Sequence, residues 1–214
     1  TEEKPKPLLI VGGKPILETI LLKFIDLGFH NFFISTHYKA EMIHNYFGDG
    51  SQWSVSIKYI HEDRPLGTAG SLGLLPKDMP NLPIIMMNGD LLTRVDFQAL
   101  LDYHNYNKGI ATMCVRKYDF QVPYGVVKSK DFAVTNIVEK PIHSFFVNAG
   151  IYILDPKLIK SMNGNDYIDM PNLLDKSIDN GEIVNIFPIY EYWLDIGQKD
   201  QYILANQEIK SFKN

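Results

Sequence analysis

Two aspartates stand where an α/β chain would bring carboxylates to a ligand. Asn88-Gly89-Asp90 follows the continuously apolar run Ile84 to Met87, and a carboxylate at the carboxyl end of a buried strand lies where open α/β sheets bind ligands. Trp193-Leu194-Asp195-Ile196-Gly197 sets a second carboxylate inside an otherwise apolar run, where burial without a partner or a metal is costly. If they converge, the two acids could hold Mg²⁺, which takes one or two carboxylates and fills its other positions with phosphate oxygens and water. Taken singly, each Asp reads equally well as a turn or a helix N-cap.

Three other segments carry polar groups at useful spacing. In Lys4-Pro5-Lys6-Pro7 the prolines stiffen the backbone around Lys6, whose charge could then meet phosphate oxygens; alone, the segment reads more simply as a solvated tail. Glu62-Asp63-Arg64-Pro65-Leu66-Gly67-Thr68-Ala69-Gly70 joins a strand end to a helix start, where small residues admit a ligand and helix N–H groups are free to bind it. It is not a GxGxxG turn, so no dinucleotide site is implied. Glu139-Lys140-Pro141 and Val147-Asn148-Ala149-Gly150 offer a carboxylate for hydroxyls, an ammonium for phosphate and an amide that bonds a hydroxyl both ways. Tyr124-Gly125 adds a glycine against which a sugar ring could rest. Each of these also reads as a turn or an ordinary strand. The six histidines show no ligand spacing, and no metal is placed on them.

The elements that must position these groups alternate. Helical apolar spacing covers Pro15 to Leu27 and stops at Gly28, and further helices are expected over Lys39 to Phe47, Phe97 to Tyr106, Met170 to Asp179 and Lys199 to Lys210. Strands are expected at Phe32 to Ser35, Val55 to Ile60, Pro83 to Asn88, Ile110 to Val115, Phe145 to Leu154 and Ile183 to Phe187. Val122 to Glu139 reads as paired strands with turns at Tyr124-Gly125 and Ser129-Lys130-Asp131. Successive β-α-β units and a strand-rich insert predict an α/β fold with a doubly wound sheet and one domain over residues 1–214.

Composition narrows the class further. The 214 residues are 45% hydrophobic and 21% charged with a net charge of −4, ordinary for a globular protein and contrary to a nucleic-acid-coating surface. No apolar run approaches the ~18 residues of a membrane span. The single cysteine excludes an intrachain disulfide framework and a cysteine-based zinc site. With no apolar signal-peptide core at the start, a cytoplasmic location is expected.

Taken in order, these motifs resemble the sugar-1-phosphate nucleotidyltransferases, the nucleotide-sugar pyrophosphorylases of the glucose-1-phosphate thymidylyltransferase and mannose-1-phosphate guanylyltransferase type. The resemblance runs through Pro5 to Leu9, Gly13 to Ile16, Pro65 to Gly70, Asn88 to Asp90, Tyr124 to Val127, Glu139 to Pro141, Asn148 to Gly150 and Trp193 to Gly197. It implies a Rossmann-like mixed sheet with a strand-rich sugar-binding insert, and the joining of a nucleoside triphosphate to a sugar-1-phosphate with release of pyrophosphate. By the same resemblance Lys6 binds phosphate and Asp90 and Asp195 are the Mg²⁺ ligands. Glu62, Pro65, Gly67, Thr68, Asn88 and Gly89 serve the nucleotide, and Gly125, Glu139, Lys140 and Asn148 the sugar phosphate.

The family opens with a strand and a Gly-rich loop bearing an arginine, about ten residues before its phosphate-binding lysine. Here Lys6 comes almost at once, so that opening is expected to be missing, a central strand with it, and the chain alone to turn over weakly or not at all. Only 17 residues follow Gly197, and no C-terminal β-helix domain is expected. The resemblance leaves room for a homo-oligomer and for an upstream regulatory module.

Glu62, three residues before Pro65, lies where the resembling enzymes place a base-reading side chain. A carboxylate only accepts hydrogen bonds, and guanine offers adjacent donors at N1 and N2, which favours GTP. The sugar is expected to be mannose-1-phosphate or an amino sugar such as glucosamine-1-phosphate. Two other readings compete. A non-catalytic nucleotide-sugar-binding regulatory domain has less use for two acids and two lysines, and a metal-dependent glycosyltransferase would carry Asp-x-Asp where this chain has Asn88-Gly89-Asp90.

Overall fold

The computed structural model describes residues 4–164 and 166–208. After a 3₁₀ turn at Lys6–Leu8, a short ribbon of β1 (Ile10–Val11) and β2 (Lys14–Pro15) leads into α1 (Ile16–Asp26). A parallel unit follows: β3 (Asn31–Thr36), α2 (Ala40–Phe47) and β4 (Ser56–His61). Next come α3 (Gly67–Gly70), β5 (Ile84–Met87), β6 (Leu91–Thr93) and α4 (Phe97–Asn107). The long β7 (Ala111–Gln121) and β10 (Ile142–Leu154) enclose a hairpin of β8 (Val126–Lys130) and β9 (Ala133–Val138). The chain closes with α5 (Pro156–Lys160), α6 (Met170–Asp179), β11 (Val184–Pro188), β12 (Trp193–Asp195) and α7 (Lys199–Glu208).

The largest sheet runs β11-β7-β10-β5; β11 lies parallel to β7, and the other pairs are antiparallel. Strand alternation sends neighbouring residues to opposite faces, and each face has its own core. Met86, Ala111, Tyr152 and Leu154 pack with residues of α3, α5 and α6. Met87, Cys114, Ile151 and Ile153 pack with Phe24 of α1 and with Phe97 and Leu100 of α4. Helices on both faces explain why β5 is apolar without alternation, and they make the sheet doubly wound, as expected. On β3, Phe33 enters the first core and Phe32 the second, so β3 and β5 lie in one layer. Among the described residues, however, β3 pairs only with β4 and β5 only with β10.

Local signals account for the element ends. Gly28, at φ +88°, turns the chain out of α1, and the Asp96 carboxylate caps α4 by accepting from the Ala99 N–H at 2.9 Å. The structure lengthens the expected strands of the insert. β7 runs on past Val115 to Gln121, and β10 starts at Ile142 rather than Phe145. Residues 116–121 and 142–148 therefore form a two-stranded arm beyond the sheet, with the hairpin between its strands turning at Asp131, φ +54°. Besides the two-residue β1 and β2, no periodic signal in the sequence marks β6 and β12, which are three residues each and pair antiparallel across a hundred positions. The closing helix was expected to reach Lys210, and residues 209–210 lie outside those described.

His104, on α4, is buried at 3% exposure, with Nδ1 2.8 Å from Thr112 Oγ1. Burial pushes its pKa down, against a weaker upward pull from Asp155. The native state therefore keeps it neutral below the pH at which the unfolded chain protonates. Its contribution is complete above the unfolded value, about 6.5, and is lost as pH falls towards the lowered native one. Urea midpoints followed from about pH 7 to about pH 5 should fall more steeply for the wild type than for His104→Gln, the difference bounded by about 1.4 kcal/mol per pH unit for one proton.

Candidate active site

The two aspartates and the lysine meet. Asp90 follows β5 and immediately precedes β6, while Asp195 ends β12 opposite Leu91. The Ile196 N–H donates to the Asp90 carbonyl at 3.0 Å, locking the two acid-bearing backbones together. Lys6 Nζ lies 3.7 Å from Asp90 Oδ2. The lysine is not on a loose tail: Pro5 and Leu8 are buried, and the Leu8 N–H closes the turn onto the Pro5 carbonyl at 2.9 Å. Gly89 packs beside that turn, where a Cβ would sit in ordinary contact 3.4 Å from Pro7 Cγ and 3.8 Å from Leu17 Cδ1. Asn88 is tied in by its N–H, which donates to the Gly150 carbonyl at 3.0 Å.

Electrostatics single out Asp195. Burial and then the neighbouring Asp90 push its carboxyl pKa up, with Lys6 pulling the other way. Two carboxylates against one ammonium leave excess negative charge, and a dication would relieve it. The donors fit Mg²⁺: oxygen only and two in number, with no gathering of three or more His, Cys, Asp or Glu among the described residues. Most of an octahedron would thus be left to phosphate oxygens and water.

β12 is buttressed in part by Arg116, which the sequence did not single out. Trp193 Nε1 donates to the Ala149 carbonyl at 2.8 Å. Arg116 Nη1 donates to the Trp193 carbonyl at 3.0 Å, and its guanidinium lies 5.8 Å from the indole centroid. Arg116 lies 77 positions from Trp193, and no spacing in the sequence links them.

Glu62 follows β4, beside the end of β3, with its N–H on the Thr36 carbonyl at 3.0 Å. Ser35 Oγ donates to its Oε1, and the Leu66 N–H donates to its Oε2 at 3.0 Å. His37 Nδ1 is 2.7 Å from the Glu62 carbonyl. Pro65 is exposed, and Leu66 is buried beneath the following turn.

The small residues after Pro65 also make room for another part of the chain. The backbone at Asn163, Asp166 and Ile168 comes directly against α3 and the 3₁₀ turn that continues it. Cβ atoms on Gly67, Gly70 and Gly73 would stand 2.6, 2.7 and 2.4 Å from the Ile168, Asp166 and Asn163 carbonyl oxygens respectively. The helix-start donors expected to be free are partly taken: the Thr68 N–H donates to Asp169 Oδ1 and the Ala69 N–H to the Ile168 carbonyl, each at 3.0 Å. Thr68 Oγ1 accepts from the Met170 N–H at 2.8 Å, so this side chain staples α3 to the start of α6.

The residues expected to meet the sugar phosphate are spread between the arm and the hairpin it carries. Asn148 sits at the β-bulge of β10, its Nδ2 donating to Tyr152 Oη at 2.6 Å and its Oδ1 accepting from the Gly150 N–H at 2.9 Å. Its amide therefore shapes the bulge through both ends. Gly125 faces Glu139, whose Oε2 would lie 2.9 Å from a Cβ at that glycine. Lys140 adopts φ +45° in an exposed turn whose N–H reaches the Tyr124 carbonyl at 3.3 Å.

Known proteins resemble this chain in sequence and in fold. The probable mannose-1-phosphate guanylyltransferase 1 of Oryza sativa subsp. japonica is 32% identical over 93% of this chain and 57% of its own length. The D-glycero-alpha-D-manno-heptose 1-phosphate guanylyltransferase of Aneurinibacillus thermoaerophilus is 29% identical, covering 98% of this chain and 91% of its own. The crystal structure of HddC from Yersinia pseudotuberculosis superposes with a TM-score of 0.74 at 26% identity, over 96% of this chain and 90% of that one; HddC has also been solved complexed with GMP-PN. The chain spans under three fifths of the length of the fungal and plant guanylyltransferases it matches. No helix among the described residues is long and apolar enough to cross a membrane. The nucleotidyl transferase family model matches residues 1–211, nearly the whole sequence, and on that match the chain belongs to this family.

Proposed function

We propose that this protein joins GTP to a sugar-1-phosphate, giving a GDP-sugar and pyrophosphate. The observation that carries the reading is the meeting of Lys6, Asp90 and Asp195 at adjoining strand ends. A phosphate oxygen of the sugar-1-phosphate attacks the α-phosphorus as the bond to the β-phosphate bridging oxygen breaks, and pyrophosphate leaves. The attacking oxygen is already ionised, so the protein needs no general base. Its task is in-line positioning and neutralisation of charge.

Lys6, held by its buried turn, supplies a fixed positive charge to a phosphate. Asp90 and Asp195 would hold Mg²⁺, which when bound neutralises charge on the phosphate oxygens. Gly125, Glu139 and Lys140 would meet the sugar phosphate, with Asn148 keeping the strand beneath in shape. Gly67 and Thr68 would form the turn beneath the nucleotide, the Thr68 hydroxyl being engaged by the Met170 N–H. The relatives' names favour GTP and a sugar of manno configuration.

Glu62 would read guanine. Each of its oxygens accepts one bond from the protein, and a carboxylate has about four acceptor sites, so two remain for N1–H and N2–H. The test is Mg²⁺-dependent pyrophosphate release with five nucleoside triphosphates crossed against mannose-, heptose-, glucose- and glucosamine-1-phosphate. GTP with a manno sugar is the pair expected to turn over. Glu62→Gln should cut the preference for GTP over ATP by about tenfold or more, the effect of a lost charge-assisted hydrogen bond. An unchanged preference removes Glu62 from base reading.

A further inference from the structure

We infer that Ser35 is a positioning residue for nucleobase selection, acting through Glu62 and resting on the reading of Glu62 given above. The parallel register pairs Ser35 with Ile60 and Thr36 with His61, which puts Ser35 and Glu62 on the same face, one diagonal step apart. Farther down that face the corresponding residues, Phe33 and Ile60, belong to the core beneath α3. At the carboxyl ends of the two strands the apolar alternation stops, and a hydroxyl faces a carboxylate.

The contacts divide the carboxylate between structure and ligand. Ser35 Oγ donates to Oε1, and the Leu66 N–H donates to Oε2 at 3.0 Å. The second donor is backbone and cannot be mutated away, but it fixes only one oxygen. A carboxylate held at one oxygen can still swing about its χ torsions, since terminal sp³–sp² rotations are broad. Held at both, it presents two remaining acceptors in one plane, the geometry that adjacent N1–H and N2–H donors of guanine need. Ser35 therefore supplies the second anchor. It touches neither base nor phosphate, and its removal should loosen selection without touching the chemistry at the α-phosphorus.

The experiment compares GTP with inosine triphosphate, which keeps N1–H and lacks the N2 amino group, in the full-length protein. Ser35→Ala should raise KM for GTP by roughly fivefold to tenfold, the effect of one hydrogen bond, with kcat within about twofold. KM for inosine triphosphate should change less, so that the ratio of kcat/KM values narrows. Ser35→Thr, which keeps the hydroxyl, should restore the ratio. Equal losses on both nucleotides, or an unchanged ratio in Ser35→Ala while Glu62→Gln narrows it, overturns the role of Ser35 alone. An unchanged ratio in Glu62→Gln instead overturns the reading of Glu62 on which it rests.

Discussion

Asp195→Asn is expected to lower nucleotidyl transfer by about 10²–10³-fold, the usual effect of removing one preorganised electrostatic group at a reacting phosphate, without weakening the ligand-free fold. The second half of that expectation follows from the pKa. Burial and Asp90 raise the Asp195 carboxyl above its ordinary value, and Lys6 offsets this only in part. In the unliganded native state the charged form is thus disfavoured relative to the unfolded chain. Stability falls as pH rises through the window from the ordinary carboxylate value, about 4, to the raised one, and the deficit persists at neutral pH. Asn keeps the shape and removes the charge. Melting temperature at pH 7 without added metal should therefore be equal to or higher than wild type, while Mg²⁺ should raise the wild-type value and leave the variant unmoved. A melting temperature several degrees lower, or turnover near wild type, would show that Asp195 serves the fold rather than the site.

Gly67→Ala should destabilise the protein by about 2–4 kcal/mol, combining the strain of a positive φ with overpacking against fixed backbone. Gly67 has φ +78°, and its missing Cβ would stand 2.6 Å from the Ile168 carbonyl oxygen and 2.8 Å from its carbon. The obstacle is backbone, held by the Ala69 N–H on that carbonyl and by the Ile168 N–H on the Leu66 carbonyl, so it cannot turn aside as a side chain would. Gly181 is the control. At φ +81° with nothing within 4 Å of its Cβ, Gly181→Ala meets conformational strain alone and should lose about 1 kcal/mol. Urea midpoints for the two variants decide the matter: equal losses would mean that the close approach of the Ile168 backbone adds no cost of its own.

The glycines also show how a correct motif can be read for an incomplete reason. Pro65 to Gly70 carries part of the resemblance to the family, and its small residues read in the sequence as room for a ligand. In the structure they are room for another stretch of this chain, which arrives a hundred residues later and lies carbonyl-first against Gly67, Gly70 and Gly73. Asn148 is a similar case. Its amide could have met a hydroxyl at either end, yet both ends bond β10 itself around the bulge at Gly150.

What the sequence determined by itself was local. Helical spacing, with a glycine stop for α1, α2 and α6, placed α1, α2, α4 and α6 within a residue or so, and continuous apolarity marked β5 as a strand covered on both faces, because burial is written into the type of each residue at its own position. The order of motifs likewise named Lys6, Asp90 and Asp195 before any of them could be placed in space. The tertiary structure alone decided what no window of sequence contains. It paired β6 with β12, three residues each, thereby bringing Asp195 beside Asp90, and it set Ser35 against Glu62 and Arg116 beneath Trp193. Such pairs join residues dozens of positions apart through hydrogen bonds and charge. Neither leaves a period in the chain, because the partner's identity depends on where the backbone has already been carried by the packing of the helices and strands between them.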